Sequence, residues 1–269
     1  MKMNKIFLCL GIIVLALSCK KEEIGITANN SGLLLKQVLV DNQPVLEYTY
    51  NSSRLISAEK SKFDLTNYNY TDNQLTSTDY YLNYNILSSD AQVSSNAMNQ
   101  AGWVTASTAN KGGTGTFDYN GSEQLLKATY TSVSGGSQHS EFIYGADARI
   151  SKQILYWDNA ETGHIDYKYD SNGNLTEEDL YNVSASGVTE LSTTTNYEFD
   201  NSPNPYKAIN RLPIPGLYTN TNNITKETYT INVNSEQGTA SVQVIVNTYV
   251  YNSKGYPTSK NGNVTYLYI

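Results

Sequence analysis

Tyr167-Lys168-Tyr169-Asp170-Ser171-Asn172-Gly173-Asn174-Leu175 places two aromatics one residue apart, then a polar run containing a glycine, then an aliphatic residue. Alternate residues of a strand point to one side, so Tyr167 and Tyr169 share a face. Asp170 is positioned to cap a type I turn through its side chain. Gly173 supplies the left-handed residue that closes a bulged hairpin loop. Leu175 opens the return strand, so the stretch reads as the tip of a β-hairpin.

Working outward, the unit recurs. Aromatic pairs of the same spacing stand at Tyr48/Tyr50, Tyr68/Tyr70, Phe117/Tyr119, Phe142/Tyr144, Tyr197/Phe199 and Tyr249/Tyr251. Apolar residues follow at Leu55, Leu75, Leu125 and Ile150. The loops are of two lengths: four residues lie between Tyr50 and Leu55 and between Tyr70 and Leu75, and five in the later copies. Tyr229–Val233 and Ala240–Val246 form a further candidate hairpin, and Val264–Tyr268 a final strand. The expected fold is all-β: a single antiparallel meander of about 14–16 strands built from hairpin repeats, curled into an open or closed barrel-like sheet. Composition agrees, with 23 Tyr against 5 Phe and 2 Trp. Tyrosine favours strands and tolerates half-burial, because its ring packs while its hydroxyl reaches water or a partner. Residues 85–115, rich in Ser, Ala, Asn and Gly, and residues 202–225, with four of the six prolines, interrupt the rhythm and read as long loops. Either is suited to cover an open end of a curled sheet.

The N-terminus reads as a targeting segment. Lys2 and Lys5 precede an apolar run from Ile6 to Leu17, too short for the ~20 apolar residues of a membrane span. The run ends Leu15-Ala16-Leu17-Ser18-Cys19, which resembles the lipobox of bacterial lipoproteins, although Ala16 stands where leucine is commonest. The resemblance implies a signal peptide over 1–18 and acylation of Cys19. Residues 19–32 then serve as anchor and tether, and 33–269 as the tyrosine-rich hairpin domain. Lys20-Lys21-Glu22-Glu23 resembles the export tract of lipoproteins displayed on the outer membrane of Bacteroidota. Cys9 and Cys19 are the only cysteines, so cleavage and acylation leave no thiol chemistry and no disulfide. Loss of Lys2 and Lys5 with the leader takes the formal charge from −7 to −9. That balance excludes nucleic acid, whose phosphates demand a basic face.

The hairpin unit resembles the YD repeat, Tyr-x-Tyr-Asp-x-x-Gly-Arg-Leu, with Asn174 where arginine is usual. The lipobox, these units and Asp200-Asn-Ser-Pro-Asn-Pro-Tyr206 together resemble a family of Bacteroidota lipoproteins of unknown function and porin-like fold. The resemblance implies a curled meander and no particular activity.

Catalytic and metal-binding patterns are weak. His139 and His164 each have a carboxylate two residues on, Glu141 and Asp166. Equivalent strands of successive hairpins lie ~9.6 Å apart, too far for one zinc ion. Asp170-Ser-Asn-Gly-Asn174 lacks the glycine position and the final glutamate of a calcium loop. Lys111-Gly-Gly-Thr-Gly115 lacks the ending of a phosphate loop. Neighbours among Glu177, Glu178 and Asp179 face opposite sides of a strand, and glycoside hydrolysis needs two carboxylates ~5–9.5 Å apart across a cleft. No metal, cofactor or catalytic residue is assigned. The expected role is a non-enzymatic cell-surface binding or scaffold module, anchored in the outer membrane through Cys19, with a glycan or protein ligand. Trp103, Trp157, Tyr80, Tyr81, Tyr84 and Tyr181 are the candidate ligand contacts. A membrane-spanning channel and a surface hydrolase are the alternatives.

Overall fold

A computed structural model describes residues 32–82, 110–184, 186–209, 212–232 and 241–269. Cys19, Tyr84 and Trp103 lie outside these residues. The described chain holds seventeen strands: β1 (Leu35–Val40), β2 (Gln43–Tyr50), β3 (Ile56–Lys60), β4 (Asp64–Thr71), β5 (Gln74–Leu82), β6 (Asn110–Tyr119), β7 (Leu125–Ser132), β8 (Ser137–Tyr144), β9 (Ile150–Trp157), β10 (Ala160–Tyr169), β11 (Leu175–Val183), β12 (Thr189–Pro203), β13 (Asn222–Ile231), β14 (Ser241–Val246), β15 (Tyr249–Tyr251), β16 (Pro257–Lys260) and β17 (Val264–Tyr268). A single 3-10 turn, Pro205–Ile209, is the one helical element among them.

Each strand pairs antiparallel with its chain neighbour from β1 to β14 and from β15 to β17. Strand β1 also pairs with β17, Leu35 opposite Tyr268. No ladder joins β14 to β15, so the sheet is not closed into a barrel. Its two edges are nevertheless consecutive in the chain, linked only by Asn247 and Thr248. Side chains bridge this seam: Asn247 Nδ2 donates to the Ile224 carbonyl (3.0 Å) and Asn261 Nδ2 to Asn247 Oδ1 (3.1 Å). Every residue of β14 is exposed.

The hairpin reading holds, and its loops are more uniform than the spacing suggests. Tyr50 pairs with Ile56, not with Leu55, so this loop has the length of the later copies, in which Tyr119 pairs with Leu125, Tyr144 with Ile150 and Tyr169 with Leu175. The reason is local. The Asn51 side chain accepts from the backbone N–H groups of Ser53 and Leu55, which draws Leu55 into the turn. Asn120, Asp170 and Asn252 do the same for their own turns. Arg54, Glu123, Gly173 and Gly255 take the left-handed conformation at the equivalent position. Tyr70 to Leu75 differs: Asp72 and Asn73 alone form a two-residue turn, both with positive φ, as a type I′ hairpin requires.

The stretch Asn110–Gly115, which the composition assigns to a loop, is strand. A Cβ on Gly113 would run into the Tyr130 ring, and one on Gly115 into the Thr78 hydroxyl. These glycines make room for bulky cross-strand neighbours, a regular use of glycine within a sheet. The proline-rich loop is likewise shorter than its composition implies, because β12 runs to Pro203 and β13 begins at Asn222.

The inner face carries Tyr48, Tyr68, Phe142, Tyr167 and Tyr266, all buried. Below them, nearest the turns, runs a row of fully buried residues: Leu35, Ile56, Leu75, Leu125, Ile150, Leu175 and Pro257. A second contact repeats beside this row. In four successive units the hydroxyl of the second aromatic donates to the carbonyl of the buried residue of the preceding unit: Tyr70 to Ile56 (2.9 Å), Tyr119 to Leu75 (2.8 Å), Tyr144 to Leu125 (3.1 Å) and Tyr169 to Ile150 (2.7 Å). Tyr50 does so to Leu35 and Tyr268 to Pro257. Hairpin is thus bonded to hairpin at the level where the ladder is interrupted by a bulge. Tyr119→Phe is expected to lower stability by ~1 kcal/mol, the net worth of one such bond. Leu125→Ala is expected to lose ~2–5 kcal/mol. Denaturant titration measures both, and an unchanged midpoint for Tyr119→Phe would show that the hydroxyl merely exchanges a protein acceptor for water.

Candidate functional site

Residues 204–209 and 212–221 fill one end of the curled sheet. Ile209, Leu212, Ile214 and Tyr218 are buried within the same core as the aliphatic row. Tyr206 packs edge-on against Tyr218 and Tyr266, with ring centroids 5.4 and 6.1 Å apart. Tyr48 and Tyr218 hydroxyls meet at 3.5 Å. The plug therefore touches β2 and β17 on one side of the molecule. On the other it is tied to the β10–β11 hairpin by asparagines. Asn220 Oδ1 accepts from the Leu175 N–H (2.7 Å), and Asn222 and Asn174 bond each other through side chain and backbone (3.0 and 2.9 Å). Asn174 thus ties the β10–β11 turn to Asn222, where the chain returns from the plug to β13. Asp200 caps Ser202 and binds Asn223, which explains the Asp200–Tyr206 segment as the entry to the plug.

Between the plug and the seam lies a cavity of about 270 Å³. Tyr197, Glu227, Tyr249 and Lys260 give it a polar wall, and Leu175, Leu217 and Ile224 an apolar one. The repeat changes here. Phe199 has no hydroxyl to offer its predecessor, and Tyr249, the first aromatic of its unit, bonds the Ile224 carbonyl instead (2.9 Å). Glu227 stands opposite Tyr197 in the ladder, while Glu178 is two strands away opposite Tyr167. Burial raises the Glu178 carboxyl above its ordinary value, hydrogen bonds from Tyr197 and Thr195 oppose the rise, and Glu227 adds to it. Burial lowers the Lys260 ammonium, against the attraction of Glu227. This is a small, partly open chamber lined by one carboxylate, an amine and two phenols, one of which is bonded to Glu178, and it is competent to hold a polar ligand.

None of this cluster is among the residues that the sequence singles out for ligand contact. Tyr80 lies on the inner face, edge-on to Tyr130 at 6.4 Å. Trp157 sits at the rim opposite the plug and is 49% exposed. Tyr81 and Tyr181 face outward, Tyr81 opposite Leu65 and Lys111 and Tyr181 stacked on His164 at 4.6 Å. The four therefore do not form one surface. His139 stacks in the same way on Tyr156 at 4.4 Å. Burial, and then Lys127, lowers its tendency to protonate. The two histidines are repeat copies on β8 and β10, with β9 between them. Among the described residues no three His, Cys, Asp or Glu side chains converge as a metal site. The Asp170 carboxylate is spent on its own turn and on Asn174.

No protein-family model and no curated protein matches the chain. Among solved structures, a porin-like protein from Bacteroides uniformis is similar at 13% identity, over 87% of this chain and 98% of that one, with a TM-score of 0.45. A porin-like protein from Bacteroides vulgatus is similar at 10% identity, over 88% and 99%, with a TM-score of 0.38. A protein of unknown function from Bacteroides fragilis is similar at 11% identity, over 68% and 91%, with a TM-score of 0.25. At these values the fold description rests on the strand ladders themselves.

Folded Glu178 holds its proton more tightly than it does in the unfolded chain. Its contribution to stability is therefore full below the ordinary carboxylate range and is lost as pH rises through the elevated value. Glu178→Gln removes that slope. The variant is expected to match the parent near pH 4 and to melt a few degrees higher at pH 7. Thermal unfolding at the two pH values measures this, and a variant less stable at pH 7 would show that ionised Glu178 is net stabilising.

Proposed function

We propose that this protein is a non-enzymatic binding module, tethered by acylated Cys19 and held in water outside the membrane. The observation that supports it most is the outer face of the sheet. Residues flanking the inner-face aromatics form ion pairs on hairpin after hairpin: Glu47–Lys60 (2.6 Å), Asp79–Lys111 (2.6 Å), Lys152–Asp166 (3.0 Å) and Glu198–Lys226 (2.7 Å), with Lys168–Glu177 between them. A spanning barrel needs a lipid-facing apolar band ~25 Å tall and loses ~2–4 kcal/mol for a lysine or arginine at its midplane. A conduit also needs an open lumen, whereas the plug occupies one end. Water on the outside and a plug within favour a vessel over a channel.

The start of the domain gives the vessel an orientation. The Gly32 carbonyl accepts from Arg54 Nη2 (2.9 Å), and Arg54 belongs to the turns at the plugged end. A tether leading to Cys19 thus departs from that end. In this reading the opposite rim, with Trp157, is the one left for a glycan or protein ligand. Residues 25–269, lacking Cys19, are expected to purify as folded β-protein without detergent. The full chain with Cys19→Ser is expected to leave the membrane pellet for the soluble fraction. Precipitation that only detergent relieves would instead mark a spanning barrel.

A further inference from the structure

A second cavity, of about 260 Å³, opens on the plugged end between the plug and the tip of the β10–β11 hairpin. Its charge is contrary to the molecule's. The chain is acidic overall, yet this cavity is lined by two cations, Arg149 and Lys207. Both are fixed to the same turn. Arg149 lies over the Tyr169 ring, 5.3 Å from its centroid, and Nη1 donates to the Asp170 carbonyl (3.2 Å). Lys207 Nζ donates to Thr221 Oγ1 (2.7 Å), which donates in turn to the Asn172 carbonyl (2.8 Å). The Asp147 carboxylate meets Arg149 at Nη1 as well (3.6 Å) and is itself half exposed. Nε and Nη2 of Arg149 have no acceptor among the described residues. Gly173 clears space beside that edge, since a Cβ there would stand 3.2 Å from Nη2.

A guanidinium held by one nitrogen over an aromatic ring presents its remaining edge as a fork for two oxygens. Pro213 and Pro215 line the same cavity as the Tyr169 ring, and all three are rigid and apolar. The volume falls just below the ~300–1,000 Å³ of pockets for drug-sized ligands, so it suits a single small ring. We propose that this cavity binds a small ring-bearing carboxylate, with the carboxylate on Arg149 and Lys207 and the ring against Pro213, Pro215 and Tyr169. A hexuronic acid has this chemistry. The inference stands apart from the tethering of the chain, because it concerns a site present whether or not Cys19 is acylated.

Calorimetric titration of the Cys19→Ser chain with glucuronate, glucose and inorganic sulfate tests it. Glucuronate is expected to bind saturably, with glucose and sulfate each weaker by about tenfold or more, since each supplies only half of the contacts. Lys207→Met is expected to weaken glucuronate about tenfold. Arg149→Lys, which keeps the charge and loses the fork, is expected to do the same while leaving the circular dichroism unchanged. Sulfate or glucose binding as well as glucuronate, no saturation by ~10 mM glucuronate, or full affinity in both variants would each overturn the proposal.

Discussion

The contact on which the rest depends is the tyrosine hydroxyl that reaches back to the main-chain carbonyl of the preceding hairpin. A bulge at the mouth of each hairpin twists the strand and places its first residue inward, where the side chain is buried. It also disturbs the ladder beside that residue, and a carbonyl left without a partner there costs free energy of the order of a lost hydrogen bond. Phenylalanine in the second aromatic position would bury its ring as well but leave the carbonyl unanswered. This accounts for the excess of tyrosine over phenylalanine better than strand propensity alone. The ring supplies burial and the hydroxyl supplies register between successive hairpins.

The plug follows from the same rule where it fails. At Phe199 the hydroxyl is missing, and after Pro203 the chain leaves the sheet for residues 204–209 and 212–221. The polar work passes to asparagines: Asn174, Asn204, Asn220, Asn222 and Asn223 are all buried, and each makes side-chain hydrogen bonds to the hairpin tip, the plug backbone or the end of β12. An amide can donate and accept at once, so one side chain can answer two orphaned groups. The chamber behind the plug, with Glu227 and Lys260 in its wall, exists because the plug is tied at its edges and does not fill the space against the seam.

The hairpins, their shared aromatic face and the covering role of the proline-rich segment were legible in the residues, because turn chemistry and the two-residue period act locally. The misreadings were local signals outvoted by distant partners. Glycines 112, 113 and 115 look like a loop until Tyr80, Leu82 and Tyr130 are seen to need the space. Leu55 looks like the first residue of a strand until Asn51 claims its N–H for the turn. The chamber was not legible at all. Its members come from β11, β12, β13, β15 and β16, and no short spacing marks side chains that meet only after a sheet has curled. The division of the candidate aromatics between faces, Tyr80 inward and Tyr81 and Tyr181 outward, likewise follows from strand parity and bulges that the residues alone do not mark.

The seam between β14 and β15 bears on how such a protein could change size. A barrel closed by ladders fixes strand number, tilt and stagger together, so adding a strand disturbs all three. Here closure passes through a covalent link, Asn247–Thr248, and a few side-chain bonds, with no register to satisfy. Each hairpin answers chiefly to the one before it. Gain or loss of a hairpin elsewhere would alter the circumference and leave the joint intact. Such an architecture can be lengthened like a belt, with the buckle always in the same place.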